Sequence, residues 1–130
     1  LAFSVDDAHL RPEHPGWNGG WIVANAPACE RPAIMDAIRR GNFYSSCGPE
    51  IRSIELDGDE LVMTTSPVQF VRLVGPNWNG TRLGSFDGPL LTEIRIRVPA
   101  DWKYAYVEIE DQNGRRAWTN NLFTDTSAGR

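Results

Sequence analysis

The spacing of apolar and polar residues predicts one helix near residues 33–40. Apolar side chains recur there at helical intervals, opposite a charged face. Pro32 suits the first helical position, because its missing N–H would have had no partner there. Gly41 suits the residue just past the end, where a left-handed backbone is least costly for glycine. The pattern therefore predicts a short amphipathic helix that ends at Gly41.

Strand patterns flank this helix on both sides. Short apolar runs precede it at residues 1–5 and 21–24, and an extended segment follows at 42–45. Beyond residue 50, apolar and polar residues alternate in the segments 51–56, 61–65, 68–74, 82–83, 91–98, 105–109 and 117–123. Asp57-Gly58 and Asn113-Gly114 suit tight hairpin turns, and Ser66-Pro67 is expected to end a strand. Strands with this spacing predict an antiparallel sandwich.

The predicted fold class is mainly β: an immunoglobulin-like antiparallel β-sandwich preceded by a short α/β segment with one helix. Twelve glycines and nine prolines favour such a turn-rich fold. The apolar fraction of 41% is enough to form a core and excludes a disordered chain. We expect the α/β segment at residues 1–49, the sandwich at 50–124 and a frayed tail at 125–130.

Charge and composition exclude several classes of function. A net charge of −4 disfavours a nucleic-acid-binding protein, which needs a basic face. No apolar run approaches the roughly 20 residues that span a bilayer. Cys29 and Cys47 have no diagnostic spacing, and buried free thiols in a cytoplasmic protein are the favoured interpretation over a disulfide. The chain opens on the apolar run Leu-Ala-Phe-Ser-Val without Met, so we expect residue 1 to lie inside a longer protein.

The densest group of chemically competent side chains follows the run at residues 1–5. Asp6, Asp7 and His9 are close in sequence, and His14 follows five residues later. On an extended segment, Asp7 and His9 project to the same side. A carboxylate and an imidazole together suit a divalent transition metal, although a minimal zinc site needs three protein ligands. The alternative is that these acidic residues only cap a turn.

Three motifs in the first 51 residues resemble one enzyme family. They are Ser-Val-Asp-Asp-Ala-His-Leu-Arg at residues 4–11, Gly-Gly-Trp-Ile-Val at 19–23, and the helix with its following Gly-Asn-Phe-Tyr-Ser-Ser-Cys-Gly-Pro at 41–49. Together they are similar to the C-terminal end of the PHP (polymerase and histidinol phosphatase) metal-dependent phosphoesterases. The family's Gly-x-Phe-Tyr-x-Ser-x-Gly-Pro segment is matched by Gly41, Phe43, Tyr44, Ser46, Gly48 and Pro49.

The resemblance implies a fold and a set of site residues. Family members have a seven-stranded α/β barrel that holds up to three metals, and some add a small β-domain. Residues 1–49 would be the barrel's last strands, loop and helix, and 50–124 the accessory β-domain. Asp7 and His9 would match the last Asp-x-His motif and bind divalent zinc, manganese or iron. The side chains implied to lie behind those ligands or against a phosphoester substrate are Asp6, His14, Tyr44 and Ser46.

The chain also departs from the family pattern. The opening His-x-His and the later ligands of the family are not in this sequence, and Cys47 stands where Thr is more usual. The resemblance therefore implies that this chain is inactive by itself and needs a missing N-terminal barrel portion or a partner chain. If that partner is a separate chain, residues 1–5 should lie at the interface.

Other interpretations of the same residues remain open at the level of the sequence. The alternative for the hydroxyls of Tyr44 and Ser46 is that they bind backbone groups instead of substrate, and His14 between prolines suits a solvent-exposed loop. Trp78 in a turn is either a sugar-stacking platform or, more simply, an aromatic that closes the end of the core. The alternative function is a stand-alone β-sandwich that binds carbohydrate or protein.

Overall fold

The computed structural model describes residues 1–9, 11–13 and 16–123 of the chain. Within them it has one α-helix, α1 (Arg31–Arg40), a short 3-10 turn (Pro76–Trp78) and nine strands. The strands are β1 (Trp21–Ala24), β2 (Phe43–Ser46), β3 (Ile51–Asp57), β4 (Glu60–Val68), β5 (Phe70–Val74), β6 (Gly80–Leu83), β7 (Leu91–Arg97), β8 (Tyr106–Glu110) and β9 (Arg116–Thr119). The protein is therefore mainly β, as the alternation of its sequence predicted.

The strands form two antiparallel sheets. The larger sheet has the order β1-β2-β9-β8-β5-β6, and the smaller one has the order β3-β4-β7. Strands β3 to β9 follow the immunoglobulin-like arrangement, in which the first, second and fifth strands form one sheet and the remaining four form the other. The predicted fold class is thus confirmed, and β1 and β2 extend the larger sheet at one side.

The core lies between the two sheets. Inward-facing residues alternate with outward-facing ones along β4, β5, β7 and β8. The side chains that meet there and are at most 4% exposed are Leu61, Met63, Val68, Val71, Leu73, Ile94, Ile96, Val98, Ala105, Val107, Ile109 and Ala117. Burial of these apolar side chains is the main favourable contribution to folding.

The helix begins and ends as its sequence predicts. Pro32 lies in the first turn, and Gly41 follows the last residue with a φ of 77°. The N–H of Gly41 donates to the carbonyl of Ile38 at 3.1 Å, which closes the C-terminus of the helix. Ala37 is its one buried side chain, so α1 packs lightly on the rest of the domain.

The helix and β2 do not form a separate layer from the sandwich. Strand β2 pairs with β9, placing Tyr44 opposite Thr119 and Ser46 opposite Ala117. The N–H of Cys47 continues this contact by donating to the carbonyl of Arg116 at 2.9 Å. The larger sheet therefore runs across the division that the sequence suggested between residues 49 and 50.

Three predictions about strands were wrong. The last strand ends at Thr119 and does not continue to Phe123. Residues 1–5 do not form a buried strand, and side chains of Ser45 and Asn120 bind their backbone instead. Ser66-Pro67 does not end a strand, because β4 continues to Val68. Its register with β7 shifts between Thr64 and Val68, and an interruption of this kind accommodates a proline that has no N–H to donate. The expected frayed tail at 125–130 lies outside the described residues.

The two cysteines are free thiols. Cys47 is half-buried, and its Sγ accepts the N–H of Arg116 at 3.2 Å, whereas Cys29 is exposed. The prediction of free thiols is confirmed, but that of burial was wrong for Cys29. In the described ranges, no helix is long and apolar enough to cross a bilayer.

Leu61 and Leu56 provide a matched test of the core, because they are cross-strand partners in the same hairpin. Leu61 is 2% exposed and Leu56 is 53% exposed. Leu61→Ala is expected to lower the free energy of unfolding by about 2–5 kcal/mol, since it leaves a cavity in the core. Leu56→Ala should cost about 1 kcal/mol or less. Urea denaturation followed by tryptophan fluorescence measures both, and equal losses would contradict this location of the core.

Candidate functional site

Asp6 organises the loop that carries the predicted metal ligands. Its carboxylate accepts backbone N–H groups from Asn18 at 2.9 Å, Gly19 at 2.7 Å and Gly20 at 2.9 Å. Gly20 allows the close approach of the two segments, because a Cβ there would overlap the Ser4 hydroxyl and lie 3.1 Å from the Val5 carbonyl. Asp6 therefore ties the segment before it to the loop that leads into β1.

The same hydrogen bonds favour the ionised form of Asp6. Donation from the backbone of Gly20, then of Asn18 and Gly19, lowers the pKa of Asp6 below its ordinary value of 3.8 against a smaller opposing effect of burial. Since the carboxylate is occupied by three donors of its own chain, the structure gives Asp6 a role in shaping the loop. Asp6 comes directly before Asp7 and His9, the predicted metal ligands.

Asp7 and His9 lie side by side on the surface. The backbone at Asp7 turns with a φ of 48°, and both side chains are exposed. Nδ1 of His9 is 2.8 Å from the carbonyl oxygen of Asp7, so this nitrogen carries the proton and donates it. In the neutral imidazole this leaves Nε2 with a free lone pair, which is the form in which histidine binds metals. The pair therefore offers one carboxylate and one oriented imidazole nitrogen.

These two side chains line a surface depression of about 340 Å³ together with Arg11 and Gly16. Arg11 is not among the site residues that the sequence predicted. Its backbone N–H donates to the carbonyl of His9 at 2.6 Å, and Arg11 lines the same depression. A cation beside a carboxylate and an imidazole suits an anionic group, of which phosphate is one.

The donor set of the depression is too small to hold a metal by itself. In the parts of the chain that the structure describes, no three side chains of His, Cys, Asp or Glu come together as a metal site. Asp7 and His9 have the right chemistry for zinc, manganese or iron, but a stable centre needs at least a third protein donor. The residues therefore fit one part of a metal site.

Ser46 and Tyr44 lie away from this depression. Ser46 is fully buried, and its hydroxyl donates to the carbonyl of Pro49 at 2.7 Å and accepts the N–H of Gly48 at 2.9 Å. It closes the turn after β2, which was the alternative interpretation of its role. Tyr44 is half-buried against the core, and burial raises the pKa of its phenol. His14 lies outside the described residues.

Sequence reasoning missed the side chains that hold the first residues in place. The Ser45 hydroxyl accepts the N–H of Ser4 at 3.0 Å and donates to the carbonyl of Ala2 at 2.8 Å. The Asn120 amide binds Ala2 through its oxygen and Phe43 through its nitrogen, both at 2.9 Å. A local pattern gives no sign of these contacts, because Asn120 is 118 residues from Ala2 in the sequence.

Two charged residues and one aromatic residue elsewhere on the surface have different environments. Arg95 and Arg97 form ion pairs with Glu60 at 3.2 Å and Asp59 at 2.7 Å, so their charges are paired within the small sheet and its hairpin. The expectation that Trp78 closes the end of the core was wrong, because its side chain is fully exposed. Trp102 packs against the core at that end of the sheet.

The Asp6 carboxylate should titrate below its ordinary pKa of 3.8 in the folded protein. Because the folded pKa is depressed, the stabilisation is present above the unfolded pKa and is lost as pH falls through the folded one. The amide resonances of Asn18, Gly19 and Gly20 report this step by NMR, and their common midpoint should lie below 3.8. Asp6→Asn should abolish the step, whereas Asp87→Asn should leave it unchanged. A midpoint at or above 3.8 would contradict these hydrogen bonds.

No family model, no curated protein and no solved structure matches this chain. The side chains described above are therefore the basis for assigning a function. Among them, the exposed pair of Asp7 and His9 is the group with the clearest chemistry.

Proposed function

We propose that this chain is the C-terminal part of a PHP-like metal-dependent phosphoesterase, to which it contributes two metal ligands and an accessory β-sandwich. The observation that supports this most directly is the hydrogen bond from His9 Nδ1 to the Asp7 carbonyl oxygen at 2.8 Å. It fixes the tautomer and orientation that a metal-binding histidine requires. The resemblance of residues 1–51 to the family supplies the reaction class.

The residues of the depression have separate roles in this proposal. Asp7 binds a divalent zinc, manganese or iron ion through its carboxylate, and His9 binds through Nε2. Asp6 holds the loop in place through its three backbone contacts. Arg11 faces the phosphoryl oxygens of the substrate with its guanidinium. The bound metal would activate water and offset negative charge on the phosphoester.

The remaining ligands come from a barrel portion that docks on the first residues. Leu1, Phe3 and Val5 are 73%, 54% and 72% exposed, although they alternate like one face of a strand. They border an open groove of about 730 Å³, whose opposite side includes Tyr106 and Trp118. Exposure of such an apolar strip to water is energetically unfavourable, and the strip suits pairing with a further strand. The strip leads directly into Asp6–His9, so a partner bound there would reach the two ligands.

Several properties of the enzyme follow from the proposal. The chain alone is inactive, because two donors do not hold a catalytic metal. The free thiols of Cys29 and Cys47 favour the cytoplasm as its location. The net charge of −4 disfavours nucleic acid as the substrate, so we propose a small phosphoester.

Binding of Mn²⁺ to the isolated chain tests the ligand pair. Paramagnetic Mn²⁺ should broaden the imidazole resonances of His9 in NMR spectra, with the weak affinity expected of two donors. Asp7→Ala should lower that affinity by about tenfold or more, because it removes one of the two ligands. Asp87→Ala is the matched control, since it removes an exposed carboxylate elsewhere and should have no effect. Broadening of His9 that persists unchanged in Asp7→Ala would contradict the pairing.

Hydrolysis of p-nitrophenyl phosphate by the assembled enzyme tests the function. Asp7→Ala should abolish turnover and lower the melting temperature of this chain only slightly, because the side chain is exposed and the cost is confined to alanine at a φ of 48°. Arg11→Gln should raise KM more than it lowers kcat, with metal content unaltered, since the guanidinium binds substrate. Normal turnover of the Asp7→Ala enzyme would exclude Asp7 as a ligand. Metal loss in Arg11→Gln would show that Arg11 supports the ligands instead.

A further inference from the structure

Trp78 is presented to solvent by a turn of unusual backbone geometry. Its side chain is 102% exposed, so it has no packing contact that would explain its presence. The φ angles of Asn77 and Trp78 are 56° and 65°, in the left-handed region. Asn visits this region with some ease, but a bulky aromatic residue rarely does. The turn therefore carries backbone strain at a side chain that contributes nothing to the core.

The turn is held firmly by its surroundings. The N–H of Gly75 donates to the carbonyl of Asn79 at 2.9 Å, and the N–H of Asn79 donates to that of Pro76 at 3.1 Å. The indole of Trp102 packs directly on Gly75, where any Cβ would overlap its ring. Trp102 is itself packed against the core. Trp78 is thus a rigidly mounted aromatic side chain, and strain that is maintained in this way is typical of a functional position.

The turn lies at the opposite end of the larger sheet from Asp7 and His9. Gly80, just after the turn, pairs with Val74, and the same row of residues across the sheet includes Tyr106 and Ala24. Trp21 belongs to the row that includes Leu83, at the other end of the strands. The loop that Asp6 holds comes directly before Trp21. Trp78 therefore has no part in the proposed metal site.

We propose that Trp78 is the stacking platform of a binding site for a neutral carbohydrate. The C–H groups on one face of a sugar ring carry slight positive charge and suit the negative face of an indole. Asn77 and Asn79 are exposed on either side of Trp78, and their amides have both donors and acceptors for the ring hydroxyls.

The chemistry around Trp78 favours a sugar over other partners. A protein partner or a bilayer would require a contiguous apolar patch, but the residues next to Trp78 in the turn and in β6 are Asn77, Asn79, Gly80 and Thr81. The net charge of −4 disfavours anionic lipids and acidic polysaccharides. A neutral glycan fits both conditions.

Affinity electrophoresis in gels containing neutral polysaccharides tests the site. The panel is hydroxyethyl cellulose, barley β-glucan, xylan, galactomannan and soluble starch. The chain should be retarded by at least one of them, and Trp78→Ala should lose that retardation. Trp17→Ala is the matched control, because Trp17 is 67% exposed in a different loop and its removal should leave retardation intact. Retardation by no member of the panel, or equal loss in both variants, would overturn the proposal.

Trp78→Gly separates binding from folding. Glycine adopts a positive φ without strain, and no packing is lost at a fully exposed site. This variant should lose glycan retardation while its melting temperature stays equal to or above that of the wild type. A lower melting temperature would show that Trp78 serves the fold and would overturn the proposal. Sedimentation with phosphatidylcholine vesicles that depends on Trp78, without glycan retardation, would also overturn it in favour of a membrane surface.

Discussion

The structure depends on the burial of one set of aliphatic side chains between two antiparallel sheets. Leu61 and Met63 from the small sheet meet Leu73 and Ile109 from the large one, and all four are at most 2% exposed. Alternation along these strands fixes their register, since a slip by one residue would turn every apolar side chain to solvent. The outer faces are then free to carry polar networks. One of them joins Arg72 to Glu108 at 2.9 Å on the large sheet.

The outer face of the large sheet also positions the candidate site. Ser45 on β2 and Asn120 after β9 bind the backbone of residues 2–4, and the rings of Phe3 and Phe43 are 4.8 Å apart. Asp6 then fixes the next turn of the chain against residues 18–20. Asp7 and His9 are therefore held by a chain of specific contacts that begins at the sheet. Their local geometry is determined by the sandwich, although they lie outside it.

The two ends of the large sheet carry different kinds of side chain. One end carries charged groups suited to a metal and an anion, namely Asp7, His9 and Arg11. The other end carries an aromatic side chain flanked by amides, with Trp78 held on a rigid turn. A sandwich allows this separation because its loops cluster at opposite ends of the strands. The phosphoesterase and carbohydrate interpretations of the sequence thus refer to different parts of one molecule, and they do not exclude each other.

The sequence by itself determined the class of fold, the helix with its Gly41 end and most of the strands, because these follow from periodicity and turn chemistry over short stretches. The assignment of Asp7 and His9 as metal ligands, which also came from local spacing, stays a prediction. Only the tertiary structure decided that β2 pairs with β9, that Ser46 closes a turn and that Trp78 is exposed. It also showed that β4 continues through Pro67. The pairing of β2 with β9 and the passage of β4 through Pro67 depend on contacts between residues far apart in the chain, which no local pattern encodes. The contacts of Ser46 are local, but the sequence is compatible with both interpretations of its hydroxyl.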